Sequence, residues 1–245
     1  MTQRMTVPML PEDEPEPSPR LREIYDAAAR IFHEKGYQAT SIQDVADAVG
    51  ILKGSLYYYI NSKQDLLFRI IDEVHRESLR SLAEWQSIDG DALVKLRAFV
   101  EGHLTSNVRN LVKIGVFFHD FRSLDGEHRE RIVKERDLYD SFLRDLLVQG
   151  QKEGVVDDRV DPKMVSMAIL GMLNWIYQWW RDDGANTPEQ VAREFSNLVL
   201  VGLVARDDVD RDAVGAFPEE VARAIGLRAG SPPTTGAGRG DAPGN

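Results

Sequence analysis

From Arg20 to about Val204 apolar residues recur every three or four positions, the spacing of one helix face, with no sustained alternation of the kind a half-buried strand needs. Leu21, Ile24, Tyr25, Ala28, Ile31 and Phe32 make a first stripe that stops at Gly36, a residue suited to a helix end. A second, shorter helix starts at Ser41, whose hydroxyl caps it with Asp44 three residues on, and stops at Gly50. A third spans 53–60. A fourth starts at Ser62, again with an acid (Asp65) three positions later, and continues past Val74 to about Trp85. Further helices are predicted at 91–107, 111–121, 125–153, 161–181 and 187–204. The last two open on Asp161-Pro162 and Thr187-Pro188, a capping residue followed by proline at the first helical position. A short amphipathic helix is expected near 211–227. No repeat of fixed period appears, which argues against a solenoid. The pattern predicts an all-α fold of about nine helices.

Composition adds boundaries. A chain of 245 residues is enough for one or two domains with a sizeable core. Residues 1–19 hold five prolines and four acids against one arginine, too few apolar side chains to offset ordering entropy, and are read as a disordered arm. Residues 206–245 end in a Gly/Pro/Ser/Thr-rich stretch read as a mostly flexible tail. There is no cysteine, so disulfides, thiolate zinc sites and cysteine nucleophiles are excluded. No signal peptide or membrane span is visible, and a cytoplasmic protein without membrane contact is expected. Enzyme motifs for acyl, phosphoryl or metal-assisted hydrolysis are missing. His119 and His128, with Asp120, Asp125 and Glu127 between and beside them, read as ordinary surface polarity rather than a metal cluster. No metal, no cofactor and no catalytic residue is expected.

The second and third helices are joined by Gly50-Ile51-Leu52, the sequence form of a helix-turn-helix over about 42–61. The third reads KGSLYYYI. At about 100° per residue, Leu56 and Ile60 share one side and anchor the helix to the core. Gly54 and Tyr58 fall opposite, with Ser55 and Tyr57 on the flanks and Tyr59 at the boundary. Three successive tyrosines cannot all point inward. The outward set suits a DNA major groove. Gly54 lets backbone N–H groups approach a phosphate, Lys53 reaches a guanine edge or a phosphate, and Ser55 bonds either base type. A tyrosine offers its ring to a thymine methyl and its hydroxyl to phosphate.

The string TSIQDVADAVGILKGSLYYYINSKQDLL, within residues 21–74, resembles the DNA-binding domain of tetracycline-repressor (TetR) family transcriptional regulators. The resemblance implies phosphate contacts for Ser41 and Lys63, and a base or backbone contact for Gln43. It also implies groove contacts for Lys53, Gly54, Ser55, Tyr57, Tyr58 and Tyr59. Two positions depart from the family pattern. Ile60 stands where an aromatic is commoner, and Leu52 where a small polar residue is frequent. The formal charge of −10 has the wrong sign for bulk attraction to DNA, but residues 20–63 carry six bases against five acids. The acid lies elsewhere, so the reading head is the least acidic part of the chain, and moderate salt dependence is expected.

The resemblance further implies a homodimer on a pseudo-palindromic double-stranded operator, and a helical regulatory domain around a small molecule. A DNA-binding domain at 20–80 and an effector-binding and dimerisation domain at 81–205 follow. The eighth helix, with MAILGMLNWIYQWWR, is apolar nearly all round and must be buried on several sides. Met172 and Ile176 on it, with Phe195, Leu198, Val199 and Gly202 on the ninth, are assigned to the dimer interface. Phe117, Phe118, Phe121, Tyr139, Phe142, Trp175 and Trp179 are assigned to a cavity for a large hydrophobic effector. The carboxy-terminal half resembles the subgroup that senses fatty or sterol acyl-CoA esters, with Arg129, Arg131, Lys134 and Arg136 as candidates for CoA phosphates. A repressor of lipid-metabolism genes is the reading. A drug-efflux regulator sensing a hydrophobic drug, and a helical protein-interaction module without DNA binding, stay open as alternatives.

Overall fold

A computed structural model of the chain describes residues 17–204. The expected helix near 211–227, the tail, and all but the last three residues of the arm lie outside the described residues. Among the described residues ten α-helices follow one another: α1 (Pro19–Lys35), α2 (Ile42–Ala48), α3 (Lys53–Leu56), α4 (Lys63–Ser87), α5 (Ala92–Arg109), α6 (Leu111–Asp120), α7 (Gly126–Glu153), α8 (Pro162–Asn174), α9 (Ile176–Trp179) and α10 (Pro188–Leu203). A 3-10 turn, Phe121–Ser123, follows α6. Among the described residues the only β pairing is one antiparallel bridge between Val156 and Val204.

Capping sets most of the boundaries. Ser18 accepts from the Leu21 N–H and starts α1 inside the segment assigned to the arm. Ser41 and Asp44 form a full capping box on α2, Ser62 caps α4, and Thr187 with Gln190 forms a second capping box on α10. Gly50 takes φ +69°, the left-handed conformation that lets the chain reverse between α2 and α3.

Two predicted helices differ. The third ends at Leu56 and passes through a turn at 57–59, in which the Tyr58 and Tyr59 N–H groups bond three residues back, to Ser55 and Leu56. The eighth is broken at Trp175, whose own N–H turns to Leu173, and it ends at Trp180, where ψ opens to 139°.

The buried side chains form two cores. The first joins Ile24, Phe32, Val45, Leu56, Ile60 and Leu66 to Val116, Phe117, Leu124 and Ile132, so α6 and the start of α7 complete the core under the helix-turn-helix. The second gathers Leu82, Trp85, Phe99, Leu104, Leu143, Leu147, Leu173, Ile176 and Leu200. The boundary expected at residue 80 falls within α4, a continuous helix of 25 residues. Its first turns build one core and its last turns the other. Lys113 on α6 ties the same elements together by charge, with Nζ 2.8 Å from Asp26 Oδ1 on α1 and 2.8 Å from Glu73 Oε2 on α4.

Candidate functional site

The head is organised so that α3 is held from one side only. Leu56 and Ile60 are fully buried, while Lys53, Gly54, Tyr57, Tyr58 and Tyr59 are exposed and Ser55 is half-buried. Tyr58 is 90% accessible, and a Cβ added at Gly54 would meet nothing within 4 Å. Gly54 and Tyr58 thus lie at the open centre of the face, with Tyr57 and Tyr59 about half-covered at its edges. Arg20 fixes the approach of α2 to α1, its guanidinium donating to the Val49 carbonyl at 2.8 Å.

The flanking residues are already engaged inside the chain. The Ser41 hydroxyl donates to Asp44 Oδ2 at 2.6 Å and accepts from the Asp44 N–H, so its one proton reaches a phosphate only after the box rearranges. That hydroxyl, with the Ser41 N–H donating to the same oxygen at 2.7 Å, holds the Asp44 carboxyl below its ordinary pKa. Gln43 donates to Asp47 Oδ1 at 2.7 Å. Lys63 is half-buried over the Tyr37 ring, 4.3 Å from its centroid, and donates to the Gln38 carbonyl. Burial pulls its ammonium pKa down.

Behind the head lies a cavity of about 320 Å³ between α4, α5, α6, α7 and α8. Val74, Leu79, Ile114, Phe117, Phe118, Met167 and Leu170 line its apolar walls. His75, Ser78, His103, Asn107, Glu135, Arg136, Tyr139, Asp140 and Asn174 supply the polar ones.

Most of this polar set is self-satisfied. The Tyr139 hydroxyl and His103 Nδ1 are 2.5 Å apart, and His103 Nε2 and Asn174 Oδ1 are 2.8 Å apart. A neutral imidazole that accepts on Nδ1 from Tyr139 donates from Nε2 to Asn174, and the Asn107 amide nitrogen lies 3.0 Å from the same Nε2. Burial lowers the pKa of His103 to about 4 and raises that of Tyr139. Asn107 donates to Asn174 Oδ1 at 3.4 Å. His75, also pushed down to about 4 by burial, donates Nδ1–H to the Ile71 carbonyl at 3.1 Å and meets the edge of Phe117.

A buried ion network adjoins this cavity. Arg131 donates to Asp72 Oδ1 on α4 at 2.8 Å and to Glu135 Oε1 at 3.1 Å, and its guanidinium lies over the Phe68 ring. Burial, with Asp72 beside it, raises the Glu135 pKa although Arg131 opposes the shift.

Of the aromatics assigned to the cavity, Phe117, Phe118 and Tyr139 line it. Phe121 packs on the first core and Phe142 is buried in the second, so neither reaches it. Trp175 and Trp179 point to the surface, because the break after Asn174 and the burial of Ile176 turn them outward.

Four of the six residues assigned to the dimer interface face inward. Ile176 and Val199 are buried in the second core, and Met172 and Phe195 pack against it. Leu198 and Gly202 are exposed. The exposed apolar stripe of α8 is Met164, Met167, Ala168, Gly171 and Trp175, one helix face over from the expected one. On α10 it is Leu198, Val201 and Gly202.

Of the four candidates for CoA phosphates, Arg131 is turned inward onto Asp72 and Glu135, whereas Arg129, Lys134 and Arg136 are exposed. Among the described residues no three His, Asp or Glu side chains gather as a metal would need, and no helix is long and apolar enough to cross a membrane. His128 instead pairs with Asp125 at 2.9 Å and stacks on Phe68.

Residues 24–70 match the family model for bacterial regulatory proteins of the tetR family, and 89–203 match the tetracyclin repressor-like C-terminal domain. The HTH-type transcriptional repressor KstR2 of Rhodococcus jostii (strain RHA1) is 28% identical over 195 residues, which cover 77% of this chain and 93% of the relative. The TetR-family regulator PfmR from Thermus thermophilus superposes with a TM-score of 0.68 at 34% identity, covering 73% of this chain and 97% of that one. AibR, solved in complex with isovaleryl coenzyme A and operator DNA, superposes with a TM-score of 0.66 at 31% identity, again covering 73% and 97%. An open, tyrosine-bearing α3 on a helix-turn-helix, a cavity walled by the helix that follows it, and these matches lead to one conclusion: the chain belongs to the tetracycline-repressor family of helix-turn-helix transcriptional regulators.

Proposed function

We propose that this regulator is a cytoplasmic, non-enzymatic homodimeric repressor that leaves its operator when an acyl-CoA ester enters the cavity. The observation that carries the reading is the double role of α4. It starts at Lys63 beside the α3 face, and its Val74, His75, Ser78 and Leu79 wall the cavity. A ligand that wedges this wall displaces the head that the same helix carries. It shifts the population toward dimers whose recognition helices no longer match two half-sites about 34–36 Å apart, and it does so only as far as its affinities for the two states differ.

At about 30 Å³ per water-sized group, the cavity holds roughly ten such groups, enough for an acyl chain but not for coenzyme A. Arg136, exposed yet part of the lining, stands at the rim where a phosphate-bearing end would emerge. The relative AibR, bound to isovaleryl coenzyme A, supports this class.

On the DNA side, Lys53, Gly54, Ser55, Tyr57, Tyr58 and Tyr59 read the groove, with Ser41, Gln43 and Lys63 around them. Dimerisation uses the exposed stripes of α8 and α10, Trp175 and Leu198 among them, in an isologous four-helix contact. Gly171 and Gly202, each with open space at its Cβ position, permit close approach.

A second reading, a cationic hydrophobic drug as effector, has Glu135 and Asp140 in the lining for it and Arg136 against it. Selecting bound DNA from a random pool, then titrating the complex with acyl-CoAs, free fatty acids and cationic drugs, separates the two. Release by acyl-CoA alone is expected. Release by the cationic drugs alone would transfer the assignment to them.

A further inference from the structure

We propose that Glu135 is the cavity's hydrogen-bonding anchor for the hydrocarbon part of the effector, and that this part carries a hydroxyl group. The proposal deepens the acyl-CoA reading and rests on it. Glu135 is 4% exposed and lines the cavity. Its Oε1 accepts from Arg131 Nε, but its Oε2, buried from solvent, meets no hydrogen-bond donor. A buried polar atom left without a partner is costly, and native proteins leave few of them.

The rest of the polar lining has less to offer a ligand. Tyr139, His103, Asn107 and Asn174 bond one another, His75 Nδ1 is taken by the Ile71 carbonyl, and the Ser78 hydroxyl donates to the Val74 carbonyl. Of the buried side-chain polar atoms without a hydrogen-bond partner, Oε2 of Glu135 is the one whose residue lines the cavity, so a group that reaches it gains a bond without breaking one.

The chemistry of the site narrows that group. A hydroxyl donates to a carboxylate and accepts from a carboxylic acid, so it satisfies Oε2 in either protonation state. A carbonyl meets only the acid form. An ammonium is disfavoured by Arg131 on the same carboxyl and by Arg136 in the same lining. The bond also has an address in the fold. Arg131 links the other oxygen of Glu135 to Asp72 on α4, so a ligand held at Oε2 pulls on the helix that carries the head.

The test compares decanoyl-CoA with its mid-chain and terminal hydroxy derivatives, measuring release of operator DNA by wild type, Glu135→Met and Glu135→Gln. At least one hydroxylated ester is expected to act on the wild type at a concentration about tenfold or more below decanoyl-CoA. Glu135→Met should abolish this preference, and Glu135→Gln, which keeps a hydrogen-bonding side chain, should retain part of it. Equal potency of all the esters on the wild type, or a preference that survives Glu135→Met, overturns the assignment. The same series as free acids, with binding read by calorimetry, asks the question without coenzyme A. A Glu135-dependent hydroxyl preference there, with no response to any CoA ester, keeps the assignment and overturns the acyl-CoA reading. No preference in either series overturns the assignment.

Discussion

Acid should weaken this protein through its buried imidazoles before most of its carboxylates titrate. His103 is 7% exposed, stacks near Phe99, and is held neutral between the Tyr139 hydroxyl and Asn174. Its pKa falls from 6.5 in the unfolded chain to about 4 in the fold. A depressed histidine pKa means that the unfolded state binds the proton first, so stability is lost as pH falls from 6.5 toward 4 and is unaffected above that window. At about 1.4 kcal/mol per pH unit, the loss is about 2 kcal/mol at pH 5 and about 3 kcal/mol once the window is crossed. His75, lowered by burial to about 4 as well, adds a loss of the same sign over the same window. The assay is urea unfolding followed by tryptophan fluorescence, with Trp85 reporting from 6.5 Å beyond Tyr139. Wild type and His103→Gln are compared at pH 7.5 and pH 5. Glutamine accepts from Tyr139 and donates to Asn174 without titrating, so the variant should lose about 2 kcal/mol less than wild type between the two values. Parallel losses in the two proteins would refute the argument, because the slope would then belong to other groups.

Other substitutions probe other joints. Gly150→Ala drives a Cβ into the Val156 side chain, between α7 and the loop that follows it, and should cost about 1–3 kcal/mol in the same unfolding assay. Gly202→Ala meets open space, so it should leave the thermal unfolding of the isolated protomer within about 0.5 kcal/mol of wild type while weakening the dimer. Trp175→Glu and Leu198→Glu charge the exposed stripes of α8 and α10, and sedimentation should find monomers with native helical content. Lys113→Met leaves Asp26 and Glu73 facing each other across the junction of α1, α4 and α6. A stability loss of about 1 kcal/mol is expected, with a larger loss in effector-driven release of DNA.

Local signals carried the outline of the fold a long way. Ser41 with Asp44, Ser62 with Asp65, and the Asp161-Pro162 and Thr187-Pro188 starts are decided by atoms within four residues, and the structure places helix ends at or beside each of them. The anchors of α3 were also legible, since Leu56 and Ile60 share a face whether the last turn is α or tighter. Facing failed where the pattern was saturated. In MAILGMLNWIYQWWR nearly every position is apolar, so periodicity cannot say which stripe meets the core. The exposed set Met164, Met167, Ala168, Gly171 and Trp175 has helical spacing, but Leu170, Leu173 and Ile176 offer an equally good stripe and are the ones buried. The polar lining of the cavity left no local trace. His103 and Asn174 stand 71 residues apart, and Arg131 and Asp72 stand 59 apart; only packing brings them together. A buried carboxyl on a helix as charged as α7 looks like one more solvated residue until its burial is known.

The proposal that α3 is the operator-reading surface is tested most directly at Tyr58. It is 90% accessible. Tyr58→Ala should therefore unfold at the temperature of the wild type and remain dimeric. Measured by fluorescence anisotropy on an operator selected with the wild-type protein, its affinity should drop by at least about thirtyfold, because each dimer loses one groove contact at both half-sites. Wild-type operator affinity in a folded, dimeric Tyr58→Ala protein would contradict the claim that this helix reads DNA.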